Sequence, residues 1–120
     1  MRLVPSVASV IALVGSVTGV QMVAASASAC DVFAERPYGT TSASGAGGRS
    51  DCGSRVQVKT DLKTNRAGLP DPVRAYRSGT VTNVRWIATW AGCNGTYEFY
   101  VDTNSQTGQY STSTRRTLSC

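Results

Sequence analysis

Four cysteines constrain this chain more than any other feature, because the sequence is short and contains no histidine. They are Cys30, Cys52, Cys93 and Cys120, and no two of them have the close spacing of a zinc or redox site. An even number of well-separated cysteines in a short exported chain is typical of two structural disulfides. We therefore expect two disulfides, no metal site and no cofactor.

The segment before Cys30 has the order of an export signal. Arg2 is its only charge, an apolar stretch is centred on residues 7–14, and small residues fill positions 24–29. This order is typical of a secretory signal peptide. Cleavage before Cys30 or before Ser28 satisfies the need for small side chains, so we predict a signal peptide over 1–29 and one domain over 30–120.

Two other interpretations of this segment are weaker. Glycine, serine, threonine and glutamine interrupt the apolar stretch and no basic cluster follows it, which disfavours a retained membrane anchor. Lipidation of Cys30 would leave three cysteines, an odd number, and position 27 holds Ala27 where a larger aliphatic residue is usual. We expect a secreted, extracellular protein that has no membrane attachment after the signal is removed.

The rest of the chain predicts strands. Positions 55–63 alternate between an apolar face, which includes Val58 and Leu62, and a polar face. Further strands are predicted at 30–35, 73–77, 81–91, 96–102 and 110–120. Regularly spaced short strands without helical periodicity indicate an all-β fold, a small antiparallel β-sandwich.

Three details of this sandwich follow from composition. Residues 73–77 and 110–120 are polar enough to lie at sheet edges. The glycine- and serine-rich positions 39–48 are interpreted as a flexible loop that cannot contribute to a core. The short segment before that loop could itself be donated to a partner as an added strand.

The last predicted hairpin suggests how the cysteines pair. If Asp102 and Gln109 flank its turn, Cys93 lies opposite a position within two residues of Cys120. We therefore predict a Cys93–Cys120 disulfide, and Cys30–Cys52 follows by elimination. The sequence alone still permits the other two connectivities.

Residues 95–101, Gly-Thr-Tyr-Glu-Phe-Tyr-Val, resemble the penultimate strand of immunoglobulin-like domains. The resemblance covers residues 81–120 and implies an immunoglobulin-like sandwich. It departs from antibody domains at Phe99, which stands where their inter-sheet cysteine would lie.

The whole chain is also similar in style to small exported proteins of actinobacteria, through its Ala/Ser/Gly-rich signal and its terminal Ser119-Cys120. Small amylase inhibitors share two disulfides and a cysteine near the C-terminus, but their Trp-Arg-Tyr triplet is missing here. Adaptor subunits of secreted toxin particles share the size, the export signal and the β character.

The sequence predicts that this protein is not an enzyme. The lack of histidine excludes Ser-His-Asp and Cys-His schemes, and oxidised cysteines supply no thiol nucleophile. Glu98 and Asp102 share a predicted strand face, but a separation of about 13 Å at strand rise exceeds that of glycosidase carboxylates.

Charge gives little sign of a polyanionic partner. The chain has 12 Lys and Arg against 7 Asp and Glu, and among the residues after the signal only Arg115 and Arg116 are adjacent basic residues. A site that follows a phosphate backbone needs a denser basic run, so we expect no nucleic-acid partner.

Four residues are candidates for binding a partner. Ile87 and Tyr100 fall on faces predicted to be exposed, and Trp90 lies beside a turn. Arg66 lies in the loop 65–70, where it would enter an acidic pocket if the protein were an inhibitor. The leading hypothesis is a non-catalytic module that binds another extracellular protein, for example as an adaptor in a toxin-like complex. The alternatives are a secreted inhibitor of a protease or amylase and a wall-associated structural protein.

The first prediction concerns processing. The secreted protein should begin at Cys30 or Ser28 and contain no free thiol, because the signal is removed and all four cysteines are paired. Intact mass measured before and after thiol alkylation checks both points. Retention of residues 1–20, or a diacylglycerol on Cys30, would contradict it.

Overall fold

The computed structural model describes residues 29–120, and within this range every regular element is a β-strand. The predicted signal peptide therefore lies outside the described residues, apart from position 29. The eight strands are, in chain order, β1 (Asp31–Ala34), β2 (Ala43–Ser50), β3 (Val56–Thr64), β4 (Val73–Val81), β5 (Val84–Trp90), β6 (Thr96–Ser105), β7 (Tyr110–Thr112) and β8 (Arg116–Ser119).

The strands form two antiparallel sheets that pack face to face. The smaller sheet has the order β1-β2-β5. In the larger sheet β4 pairs with β3, β3 with β6, and β6 with both β7 and β8. This is an immunoglobulin-like β-sandwich, as the sequence predicted, in which β6 is the central strand of the larger sheet.

The core lies between the sheets and is formed by alternate residues of β3, β5 and β6. The predicted apolar face of β3 is confirmed, since Val58 and Leu62 are fully buried. From β6, Phe99 and Val101 pack on the same core. Thr60 and Thr103 also face inward, and their hydroxyls share a hydrogen bond of 3.0 Å, so these polar groups are satisfied where they are buried.

The predicted flexible loop at 39–48 is wrong, because most of it belongs to β2, the middle strand of the smaller sheet. Residues 43–49 of this strand are all buried. A Cβ atom added at Gly45 would lie 2.4 Å from Val101 Cγ2, and one at Gly47 would lie 2.3 Å from Thr103 Oγ1. The glycines therefore allow the two sheets to approach closely, rather than making the chain flexible.

Both disulfides join the predicted partners, Cys30 with Cys52 and Cys93 with Cys120. The hairpin register from which the Cys93–Cys120 disulfide was predicted is wrong. Asp102 pairs with Thr112, and β6 extends to Ser105. Cys120 lies opposite Gly95, with which it exchanges backbone hydrogen bonds of 2.9 and 3.0 Å. Cys93 reaches it from the turn before β6.

The close approach of the sheets generates a stability prediction. Gly45→Ala and Gly47→Ala should each lower the free energy of unfolding by roughly 1–3 kcal/mol, because the new methyl overlaps stiff β-branched side chains of β6. Gly53→Ala is the matched control, since a Cβ there has no neighbour within 4 Å. Urea unfolding measures all three variants, and equal midpoints for Gly47→Ala and Gly53→Ala would show that the sheets are not in close contact.

Candidate functional site

One edge of the larger sheet is formed by β4, which pairs on one side only, with β3. The sequence placed an edge strand at 73–77, and the structure confirms the edge but extends the strand to Val81. Ser78 and Gly79 lie between the predicted strands at 73–77 and 81–91, and they continue the pairing, opposite Lys59 and Val58.

The hydrogen bonds of β3 show which backbone groups of β4 are free. The Thr64 N–H donates to the Pro72 C=O at 3.2 Å, so it points toward the β4 side. Backbone groups alternate in direction along an antiparallel strand, so those of Leu62, Thr60 and Val58 also point toward β4. These three residues pair with Ala75, Arg77 and Gly79 of β4. The residues of β4 that alternate with them, Tyr76, Ser78 and Thr80, therefore direct their backbone groups toward the free edge.

A side-chain contact at the end of β4 supports this assignment. Arg55 donates from Nη2 to the Thr80 C=O at 3.1 Å, which requires that carbonyl to be accessible outside the β3 pairing. Among the described residues no strand pairs with β4 along this edge. Arg55 occupies the Thr80 C=O, and the row of backbone donors and acceptors from Tyr76 to the Thr80 N–H can accept an added strand.

The outer side chains of β3 and β4 surround this edge with charge. Tyr76 is 60% exposed, and Lys59 Nζ lies 5.0 Å from the centre of its ring. Asp61, opposite Tyr76, is only 6% exposed, although the sequence placed it on the polar outer face. Lys59 Nζ forms an ion pair with Asp61 Oδ1 at 3.5 Å, and because the Lys59 side chain is 43% exposed, its ammonium group stays accessible to other acceptors.

A tighter ion pair lies farther from the edge, on the same outer face. Lys63 Nζ donates to Asp102 Oδ2 at 2.9 Å, and the Thr112 hydroxyl donates to Oδ1 at 2.7 Å. Burial raises the pKa of Asp102, but hydrogen bonds from Lys63, Thr112 and Tyr110 outweigh it and bring the pKa below its usual value. The hydrogen bond to Asp102 raises the pKa of Lys63. This pair is satisfied internally.

The expectation that Tyr100 is an exposed anchor is wrong. The residue is 6% exposed, its hydroxyl donates to Asp71 Oδ2, and Arg115 Cζ lies 4.6 Å from its ring centre. Burial and the neighbouring Asp71 raise the pKa of Tyr100. The hydrogen bond from Tyr100 in turn lowers the pKa of Asp71. Tyr100 therefore attaches the loop after β3 to β6.

Ile87 is exposed, as expected, at 41% of its surface. It lies on β5, opposite Ala46 of the smaller sheet, whereas Tyr100 lies on the larger sheet. The structure therefore does not bring Ile87 and Tyr100 into one patch. Tyr38, also 41% exposed, is bridged to Ser44 of the smaller sheet.

Trp90 is half-buried and belongs to the edge of the core. The centre of its ring lies 5.4 Å from that of Tyr97 and 6.1 Å from that of Phe99. Cζ of Arg74, a residue of β4, lies 4.7 Å from the centre of the Trp90 ring. These contacts give the residue a packing role. The first residues of β4 are thereby held against the aromatic cluster.

Arg66 is exposed in the loop between β3 and β4, as expected of an inhibitor. Its C=O accepts a hydrogen bond of 3.2 Å from the Leu69 N–H, and Gly68 has a φ of 73°. These features describe a tight turn, which Asp71 Oδ1 closes by accepting from the Arg66 N–H at 2.9 Å. A substrate-like inhibitor presents extended backbone instead, so the turn does not favour that function.

The idea that the N-terminal segment is donated to a partner meets an obstacle. β1 already pairs with β2 from Asp31 to Ala34, and the Cys30–Cys52 disulfide lies at the end of that pairing. The Gln109 side chain also donates to the Cys30 C=O at 2.9 Å. Donating β1 would give up its pairing with β2, and the disulfide keeps Cys30 attached to the domain, so residues 31–34 act as a strand of this domain.

Other kinds of site are less evident. Within residues 29–120 the structure shows no group of three or more acidic or cysteine side chains placed to hold a metal ion, and no pocket. The same residues include no helix long and apolar enough to cross a membrane. Two intramolecular disulfides are compatible with an extracellular protein.

The sequence matches no known protein family and has no significantly similar relative among curated proteins.

The Lys63–Asp102 pair generates a pH prediction. Folding lowers the pKa of Asp102, so the unfolded chain binds more protons in acid and the stabilisation is lost as the pH falls below about 4. Asp102→Asn should cost roughly 1–3 kcal/mol at neutral pH and should flatten the loss of stability in acid. Asp51→Asn, an exposed carboxylate with the same change in charge, is the control. Parallel stability curves for the wild type and Asp102→Asn would refute the assignment.

Proposed function

We propose that this protein is a non-catalytic extracellular module that binds another protein by accepting a strand of that protein at β4. The observation that carries the proposal is the free edge of β4, which pairs regularly with β3 over residues 75–81, after a bulge at Arg74, and directs the backbone groups of Tyr76, Ser78 and Thr80 away from β3. Backbone hydrogen bonds along such an edge supply affinity, and side chains on the two faces supply specificity.

The other edges of the sandwich are less suitable. β1 has only four residues, and the edge opposite β4 is divided into β7 and β8 by residues 113–115. β5 has seven residues and forms the second edge of the smaller sheet. β4 is therefore the longest of the outer strands and the one best able to template a long added strand.

An adaptor that joins subunits of a secreted complex, such as a toxin-like particle, is the form of this function we favour. A compact disulfide-linked sandwich supplies a rigid edge, so little order has to be gained when a partner strand binds.

The experiment removes one outward N–H without disturbing the β3 pairing. Tagged protein returned to its native culture medium should co-purify with one dominant partner. Ser78→Pro should abolish this complex, because proline lacks the N–H that the added strand needs, while an edge position tolerates proline. Ser78→Ala keeps the N–H and should retain the partner. Near-UV circular dichroism checks that both variants fold.

Three outcomes would contradict the proposal. Retention of the partner by Ser78→Pro would place binding elsewhere on the surface. Inhibition of trypsin or amylase that disappears in Arg66→Ala would favour the inhibitor hypothesis. Salt-sensitive adhesion to cell material without a protein partner would favour a wall-associated role.

A further inference from the structure

The free edge of β4 is basic. The strand itself contains Arg74 and Arg77 and no acidic residue. Arg55 reaches the carbonyl of Thr80 at one end of the edge, and Lys59 extends over Tyr76 near its middle. Any strand that pairs here comes close to several positive charges.

Lys59 is positioned to contact an added strand. Its ammonium group lies over the ring of Tyr76, which is on β4, so the side chain extends from β3 toward the free edge. Asp61, its ion-pair partner at 3.5 Å, is buried, whereas the Lys59 side chain is 43% exposed and accessible from the edge. Ser78, directly opposite Lys59, has a short side chain that leaves the route from the ammonium to an added strand open.

Arg77 offers a second charge on the other face of β4. It is exposed, pairs with the inward-facing Thr60, and has its Cζ 5.9 Å from the ring centre of Trp86. A residue opposite Arg77 on an added strand would be a direct cross-strand neighbour, at a Cβ separation of about 5 Å. Opposite charges at such positions stabilise strand pairing, and like charges oppose it.

The same charges disfavour a second copy of the chain as the occupant. Pairing β4 with β4 of another molecule would place Arg77 and Lys59 of each copy beside the positive edge of the other. Charged side chains on edge strands are a common means by which proteins prevent such self-pairing. The edge is therefore protected against itself while remaining open to a strand of opposite charge.

We infer that the partner strand at β4 is acidic, with two consecutive Asp or Glu residues, one opposite Ser78 that reaches Lys59 and the next opposite Arg77. Consecutive residues of a strand point to opposite faces, which matches the placement of Lys59 and Arg77. The inference rests on the proposed function and adds the chemical class of the partner.

The test uses fluorescein-labelled nine-residue peptides of alternating Thr and Val, the length of β4, with Glu-Glu, Gln-Gln or Lys-Lys at the centre. Fluorescence anisotropy with the secreted protein measures affinity. Hydrogen exchange at the amides of Tyr76, Ser78 and Thr80 reports pairing. The Glu-Glu peptide should bind most tightly, protect these amides and weaken as salt rises to roughly 0.5 M.

Variants of the protein localise the effect. Lys59→Gln and Arg77→Gln should each weaken Glu-Glu binding about two- to fivefold and leave Gln-Gln binding unchanged. Arg116→Gln, on β8 away from the free edge, makes the same change in net charge and should have no effect. Arg77→Glu should improve binding of the Lys-Lys peptide.

The outcomes separate this inference from the proposed function. Equal affinity and equal amide protection by Gln-Gln and Glu-Glu would overturn the acidic partner and leave strand addition intact. A dimer of the free protein that Ser78→Pro dissolves would show that the occupant is a second copy. Both proposals are wrong if none of the peptides protects these amides and if Ser78→Pro still captures the partner from the medium.

Discussion

The close contact between the two sheets across β2 is the constraint on which the rest of the structure depends. Gly45 and Gly47 leave no side chain between the backbone of the smaller sheet and the residues Val101 and Thr103 of the larger one. This proximity buries the central strand β6 and lets a domain of limited size enclose a continuous core. The candidate edge at β4 is held in position because its neighbour β3 contributes Val58 and Leu62 to that core.

The ends of the sandwich are closed by different means. The disulfides fix Cys30 to Cys52 near the start of the domain and Cys93 to Cys120 beside β8. Arg49 is buried near the first of these bonds and donates to the carbonyls of Ser54 and Thr82. Covalent links and a buried cation thus hold the connecting segments where the narrow core offers little apolar contact.

Charge has separate roles on the outer face of the larger sheet. Lys63 and Asp102 satisfy each other, which stabilises the centre of the face. Lys59 lies nearer the edge, its ion pair with Asp61 is longer at 3.5 Å, and its side chain is 43% exposed, so it remains accessible. Lys63 and Asp102 therefore stabilise the fold, whereas Lys59 beside β4 is accessible to a partner. Tyr100 is buried and is not accessible.

Local pattern was sufficient for the elements whose faces differ in polarity. The alternation at 55–63 predicted β3 and its buried face, and the paired cysteines and the edge position of 73–77 were also correct. The sequence by itself thereby determined an all-β, disulfide-linked sandwich. The role of 43–50 was decided only by the tertiary structure, because glycine shows no periodicity and its value lies in the space it leaves for Val101 and Thr103.

The candidate site divides in the same way. The sequence showed a polar edge strand, but which of its backbone groups remain free depends on the pairing of β3 with β4, which links residues distant in the chain. Tyr100 followed the alternation expected of an exposed face, yet the loop containing Asp71 and the side chain of Arg115 cover it. Alternation determines the direction of a side chain, while exposure depends on what the rest of the chain places above it.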